Sequence, residues 1–193
     1  YNRIEIDLSS SAVFSSGDTP QRSISVLGSW GFTNATSAAG TISSGLAADA
    51  AALSMVCSDA SLVDVGDMLL IQSEQIFVRE RSFAALGSIL VNDAAITAAM
   101  SDDSITVDAS HGILKGEVVK LDSEELYIKT VVGNVITVIR AYNGTTLASH
   151  ADDTPVHINR TLTLVRGQNG TTGAVHADAT AISVYEPPLD VTQ

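Results

Sequence analysis

Aromatic residues make up only 5% of this 193-residue chain, cysteine occurs once, and lysine and arginine together number 10. No apolar run approaches the roughly 18 residues that a membrane-spanning helix needs. Each shortage excludes something. The lone Cys57, set in LSMVCSD, rules out an intrachain disulfide framework and a CxxC metal knuckle, and its apolar neighbours give it the place of a small buried hydrophobe. With 22 acidic residues the formal charge is −12, so a phosphate backbone would be repelled and specific nucleic-acid binding is not expected. An acidic wall beside a passage for DNA is one reading of that charge, and an acidic, soluble surface is the simpler one. The start lacks a basic stretch followed by an apolar one, so the expectation is a soluble product of intracellular origin with no membrane partner. The chain opens without Met on YNRIEIDL and stops after a proline pair, as an excerpt of a longer protein would.

What is present is 45% hydrophobic residues, rich in Ala, Ser, Thr, Val and Ile. That mixture favours short β-branched strands joined by small-residue turns, and an all-β fold is expected. Residues 1–47 read as an N-terminal β module. It has a strand over Arg3 to Leu8 and a second over Arg22 to Phe32, where Ile24, Val26 and Trp30 share a face and Gly28 and Gly31 mark a bulge.

From residue 54 the chain repeats itself. SMVCSDASLVDVGDMLLIQSEQIFVRE, residues 54–80, aligns with SITVDASHGILKGEVVKLDSEELYIKT, residues 104–130, at a constant offset of 50. A second repeat pairs RAYNGTTLASHADDTPVHI, residues 140–158, with RGQNGTTGAVHADATAISV, residues 166–184, at an offset of 26. Nothing in residues 81–103 resembles NGTT, so a simple tandem order fails and the copies must be nested. The outer β-barrel unit is expected over 48–81 plus 160–186, the inner inserted unit over 82–159, and a C-terminal tail over 187–193. The insertion point corresponds to the inner unit's VVGNV turn, because an exposed hairpin loop tolerates a long insertion at little entropic cost. Residues 82–103 are expected to be a linker with a short strand over Ser88 to Val91.

In both NGTT copies the pairs Asn143-Gly144 and Asn169-Gly170 supply residues that accept positive φ, as a tight turn between paired strands requires. His150 and His176 recur six residues after each glycine and are expected to be structural imidazoles bonded to a loop carbonyl, since neither has a partner at metal-ligand spacing. The duplication also preserves an acid and a base, which suggests the pairs Glu124 with Arg140 and Glu74 with Arg166. The sequence is equally compatible with four surface charges. The carboxylates at Asp59, Asp64 and Asp67 and at Asp102 and Asp103 lack the ligand pattern of a calcium loop, and the sequons at Asn34, Asn143, Asn159 and Asn169 arise readily in a Thr-rich chain. No G-x-S-x-G, P-loop or H-E-x-x-H motif is present, so neither catalysis, a cofactor nor a metal is expected.

The segments YNRIEIDLSSSAVFSSGDTPQRSISVLGSWGF, VGDMLLIQSEQIFVRE, ITVIRAYNGTTLASHADDTPV and LTLVRGQNGTTGAVHADATAI, in that order, resemble a family of structural proteins encoded by tailed bacteriophages. The NGTT unit is similar to the small β-barrel that forms the first catalytic-cysteine half-domain of ubiquitin-activating enzymes. That likeness implies fold only, because neither NGTT half carries a cysteine. The phage resemblance implies a non-enzymatic virion component at the head-to-tail connection, assembled in the bacterial host cytoplasm as a homo-oligomer with other virion proteins. The alternative is a host- or carbohydrate-binding module on a tail or capsid, against which the scarcity of aromatic platforms weighs.

Overall fold

The computed structural model describes residues 34–47, 49–92 and 95–186, which belong to one compact body. The strands expected over Arg3 to Leu8 and Arg22 to Phe32, and the tail 187–193, lie outside the described residues. The fold is all-β. Its first strands are β1 (Thr36–Ser44), β2 (Ser54–Cys57), β3 (Met68–Ile71) and the long β4 (Glu74–Leu90). Two short strands come next, β5 (Ala95–Ile96) and β6 (Ser104–Thr106), and then β7 (Val118–Leu121), β8 (Glu124–Val132) and β9 (Val135–Ile139). The last strands among the described residues are β10 (His150–Ala151), β11 (Pro155–Val165) and β12 (Ala181–Tyr185). Period-two alternation explains the core strands: Leu69 and Ile71 in β3 and Ile76 and Val78 in β4 are fully buried, while the residues between them are only partly so. Among the described residues no helix is long and apolar enough to cross a membrane.

All but β5 and β10, which pair with each other, join one antiparallel ten-stranded sheet, and its pairings return on themselves. The order β2-β1-β12-β3-β4-β11 closes because β11 also pairs with β2. Inside that ring sits a core that includes Ala39, Ile42, Met55, Leu69, Ile76, Leu162 and Ile182. The order β11-β7-β8-β9-β6 continues to Val91, just past β4, through the bridge Val107 to Val91, while Leu90 of β4 pairs with Pro155 of β11. A second core, including Val91, Ile105, Leu121, Leu126, Ile136 and Val156, fills this ring. The strands β4 and β11 therefore run through both.

The repeat in sequence is a repeat in register. In the outer ring Phe77, Val78, Glu80 and Arg81 oppose Val165, Leu164, Thr163 and Leu162, with a one-residue bulge at Arg79. In the inner ring Tyr127, Ile128, Thr130 and Val131 oppose Ile139, Val138, Thr137 and Ile136, with the bulge at Lys129. The opening strands match too: Val56 opposes Thr161 as Thr106 opposes Val135. A bulge kept at the same residue of both copies fixes how strongly each strand pair twists and where its side chains aim.

Two boundaries drawn from the sequence shift. β1 lies before residue 48, yet its Ala39 and Ile42 and the neighbouring Leu46 belong to the outer core. A ring of six strands needs β1 to satisfy the open edges of β12 and β2, so residues 36–46 are part of the outer ring and not of a separate N-terminal module. Residues 82–90 are likewise no linker but the second half of β4, paired with the first half of β11. Their side chains are exposed or half-buried, because this stretch mostly leaves the interior, and without an inside face the alternation that marks a strand is lost. Extended pairing satisfies the backbone N–H and C=O groups that a loop would have left to water.

The inner hairpin closes at Val132 and Val135 through Gly133, with φ of 59°, whereas the equivalent outer strands run on past Ser82 and Thr161 and carry the inner ring at their ends. Since the outer copy accommodates an insertion at this place, the inner copy should as well. A flexible Gly/Ser segment of about ten residues placed between Gly133 and Asn134 is expected to shift the thermal midpoint by no more than a few degrees. The same segment between Asp122 and Ser123, at the turn that aims Glu124 inward, should abolish the cooperative transition seen by circular dichroism.

Candidate functional site

Glu74 and Glu124 are the first residues of β4 and β8 and share parity with the inward-facing residues after them, so each carboxylate enters the end of its ring. The turns that deliver them place Gln72 and Asp122 in the left-handed region, with φ of 56° and 51°. Opposite each glutamate the chain leaves the sheet through an arginine, Arg166 after β11 and Arg140 after β9. Asn143-Gly144 and Asn169-Gly170 do take positive φ, at 53° and 75° and at 51° and 82°. They do not form a two-residue hairpin turn between paired strands, however. Each sits in a short 3₁₀ turn, Tyr142–Gly144 or Gln168–Gly170, that carries the chain back over the buried carboxylate. Thr145 and Thr171 pin these turns: each hydroxyl donates to the carbonyl of Tyr142 or Gln168 and accepts from the N–H of Glu125 or Gln75.

The result is a clasp made twice. Arg140 Nε and one terminal nitrogen donate to the two oxygens of Glu124, both at 2.8 Å. Arg166 holds Glu74 in the same bidentate way at 2.7 and 2.6 Å. The N–H groups of Ala141 and Ala148 also donate to Glu124, and those of Gly167 and Ala174 to Glu74. Further guanidinium hydrogens go to backbone carbonyls, of Thr97 and Asp102 in the inner clasp and of Ala52 in the outer one. Arg166 also reaches the carbonyl of Ala174. His150 Nε2 lies 2.9 Å from Glu124, and His176 Nε2 lies 2.8 Å from Glu74.

The histidines thus meet carboxylates rather than the loop carbonyls expected of them. The other ring nitrogen of His150 faces Asp122 at 2.9 Å, and that of His176 faces Gln72 at 3.0 Å. A buried carboxylate with spare lone pairs is a stronger acceptor than a peptide carbonyl, and the inward Glu puts one within reach.

Burial is the largest single influence on either glutamate and pushes its pKa up. It is outweighed by the hydrogen bonds from arginine, histidine and two backbone N–H groups, so both carboxyls sit near about 2, against an ordinary value of 4.5. Both are ionised at neutral pH, and their lone pairs are occupied by five protein donors each. Such a group has nothing left with which to take a proton from a substrate. Cys57 is equally closed: burial pushes its thiol up to about 11, and Sγ lies 3.4 Å from the carbonyl of Arg160.

A third polar cluster was not read from the sequence. Glu117, fully buried, takes a bidentate pair from Arg160 at 2.7 and 2.8 Å and accepts from the N–H of Leu114 and of Ala60. The bond to Ala60 crosses from the inner ring to the outer. Arg81 lies beside it, donating within the outer ring to the carbonyls of Val63 and Ala60 and to Asp64, and reaching the inner unit only at the amide oxygen of Asn159. The available signal lay in where the copies disagree: Glu117 stands against Asp67, Arg81 against Val131, and Arg160 against Asn134. Positions the copies share build each ring, and positions where one copy gains charge or reach build the seam. Beside this seam opens a cleft of about 440 Å³, lined by Ser61, Asp64 and Arg81 on one wall and by Tyr127, Tyr142 and Asn143 on the other.

No family model and no curated protein matches this chain.

Removing one partner of a buried ion pair leaves an uncompensated charge, so Arg140→Ala and Arg166→Ala should each lower stability by about 3–5 kcal/mol, measured as a drop in the urea midpoint. The depressed carboxyl values also fix an acid response. Above the ordinary value of 4.5 the glutamates are ionised in both folded and unfolded chains, and their contribution to stability is complete. As pH falls from there to about 2, the unfolded chain takes up protons first and that contribution is lost. Urea midpoints are expected to fall steeply across this window. A Glu74→Gln, Glu124→Gln double variant, less stable at neutral pH, should show a much flatter slope there.

Proposed function

We propose that this chain is a non-enzymatic structural protein of a tailed-phage virion, positioned at the head-to-tail connection, where it works through contacts with copies of itself and with other virion proteins. In this reading the two rings are small nested β-barrels, and their shape and outer surfaces do the work. The observation that carries it is how the recurring polar residues are used. Glu74, Arg166 and His176, with Glu124, Arg140 and His150, are spent on closing the ends of the rings and leave no acceptor for a reaction. The resemblance of the four segments to phage structural proteins supplies the virion context. The formal charge of −12 suits a component beside which DNA passes without adhering. Exposed apolar residues at the inner hairpin, Val132 and Val135, offer contact surface for assembly.

Gold-labelled antibody against the protein, applied to purified particles of the encoding phage and imaged by electron microscopy, is expected to mark the neck. Native mass spectrometry should find a closed ring of copies. Label confined to the distal tail or the capsid faces would remove the neck assignment.

A second reading, a host- or carbohydrate-binding module on tail or capsid, is favoured by one specific feature, the pair of tyrosines beside the seam.

A further inference from the structure

The two copies differ most pointedly at the cleft. Where the outer ring has Phe77 and Gln168, the inner ring has Tyr127 and Tyr142, whose rings stack with centroids 5.3 Å apart and planes tilted by 33°. The whole chain has only four tyrosines, so placing two of them half-exposed on one wall of a cavity is a concentration that the fold itself does not require, since the outer copy folds without it. Facing them across the cleft is a polar wall from the outer ring, held in place by Arg81 and supported by the Glu117–Arg160 pair.

The polar groups at this cleft are mixed donors and acceptors. Asn159 gives its amide oxygen to Arg81, which fixes the flip and leaves its NH₂ free to donate. Asn143 gives its NH₂ to Glu125 and keeps its carbonyl oxygen as an acceptor. Asp64 uses one carboxylate oxygen on Arg81 and retains the other, on a side chain that is 84% exposed. The two phenol hydroxyls add groups that can either donate or accept. Arg81, the cation at this wall, has its terminal nitrogens committed to carbonyls, Asp64 and Asn159, so the cleft offers no free positive charge to an anion. Among the described residues, Arg81 Nε is the one buried side-chain nitrogen or oxygen without a partner. That atom is closed to solvent, so it is not a contact point for a ligand in the cleft.

We propose that this cleft binds a neutral saccharide of one or two rings, held mainly through its hydroxyls by Asn143, Asn159 and Asp64, with the edges of Tyr127 and Tyr142 against the sugar. A volume of about 440 Å³ accommodates a ligand of that size. Aromatic rings give such a ligand an apolar surface and a polar tip together. Acidic and phosphorylated sugars are disfavoured by Asp64 and by the chain's net charge of −12. The proposal rests on the carbohydrate-binding reading and narrows its ligand class; it does not depend on the connector reading, because it concerns the isolated protein, whatever its position in a particle.

The test is titration of ¹⁵N-labelled full chain with maltose, cellobiose and chitobiose, each to about 20 mM, a range that reaches millimolar affinities. At least one should give saturable amide shifts centred on Gly116, Asn143 and Asn159. Tyr142→Gln, which installs the residue that the outer copy folds with, is expected to keep the thermal midpoint and weaken binding by about tenfold or more. Tyr127→Phe, a change that leaves the ring in place, provides a second folded variant and should weaken binding to a lesser degree. The proposal is overturned if no sugar gives a saturable response, if the shifts map away from the cleft, or if both folded variants bind as the parent does. Glucuronate titrated alongside as the acidic control should respond more weakly than these sugars, and a stronger response to it overturns the neutral class.

Discussion

Each ring of this protein depends on a carboxylate that has been taken out of water. A glutamate at the first position of an inward-facing strand would be costly if left unpaired in a small apolar interior. It is tolerated because an arginine, a histidine and two backbone N–H groups converge on it from the loop that closes the ring. The dependence runs in both directions. The loop carries few apolar residues of its own, and the glutamate is what it folds around. The Asn-Gly turns and the threonines after them set the path that brings the N–H groups of Ala148 and Ala174 to the right distance. Buried pairs of this sort add less to net stability than their geometry suggests, and their stronger effect is on which arrangement is allowed.

Nesting comes from the same economy of parts. Both rings are completed by segments of β4 and β11, so neither is a self-contained bead on a string. The long antiparallel ribbon transmits orientation from one ring to the other through backbone hydrogen bonds. Flexible linkers would have let the rings reorient, while a continuous ribbon with the Arg160–Glu117 pair, the Glu117–Ala60 bond and the Arg81–Asn159 bond along its seam restrains them. For a component whose proposed role is to present fixed surfaces to neighbours, that restraint matters more than any single surface contact. The cleft lies beside the seam, and the tyrosines make it a candidate for recognition.

Much of this organisation is legible in the chain itself. Two offsets, 50 and 26, require two copies of one unit, and the absence of an NGTT segment after the first half requires one copy to sit inside the other. The duplicated acid and base single out Glu74, Glu124, Arg140 and Arg166 as candidates for pairing, although a surface position for all four fits the same letters. Period-two alternation with few aromatics specifies short strands. These features are local or self-similar, and a repeat carries its own internal control.

What only the tertiary structure decided is everything that depends on closure. β1 has no repeat signal strong enough to attach it to the outer unit, because its role is to fill an edge left by β2 and β12. The second half of β4 shows no alternation, because little of it has an inside. The histidines' choice of carboxylate over carbonyl stems from where the ring end places them, and a spacing of six residues from glycine does not encode that. The seam involves residues that differ between the copies, so repetition alone does not mark Glu117, Arg81 and Arg160 as partners. Sequence pointed to the repeated unit and to a nested order, since both are written as repetition along one dimension. Closure, burial of charge and contact between the rings are properties of three-dimensional neighbours, and only the folded chain brings those together.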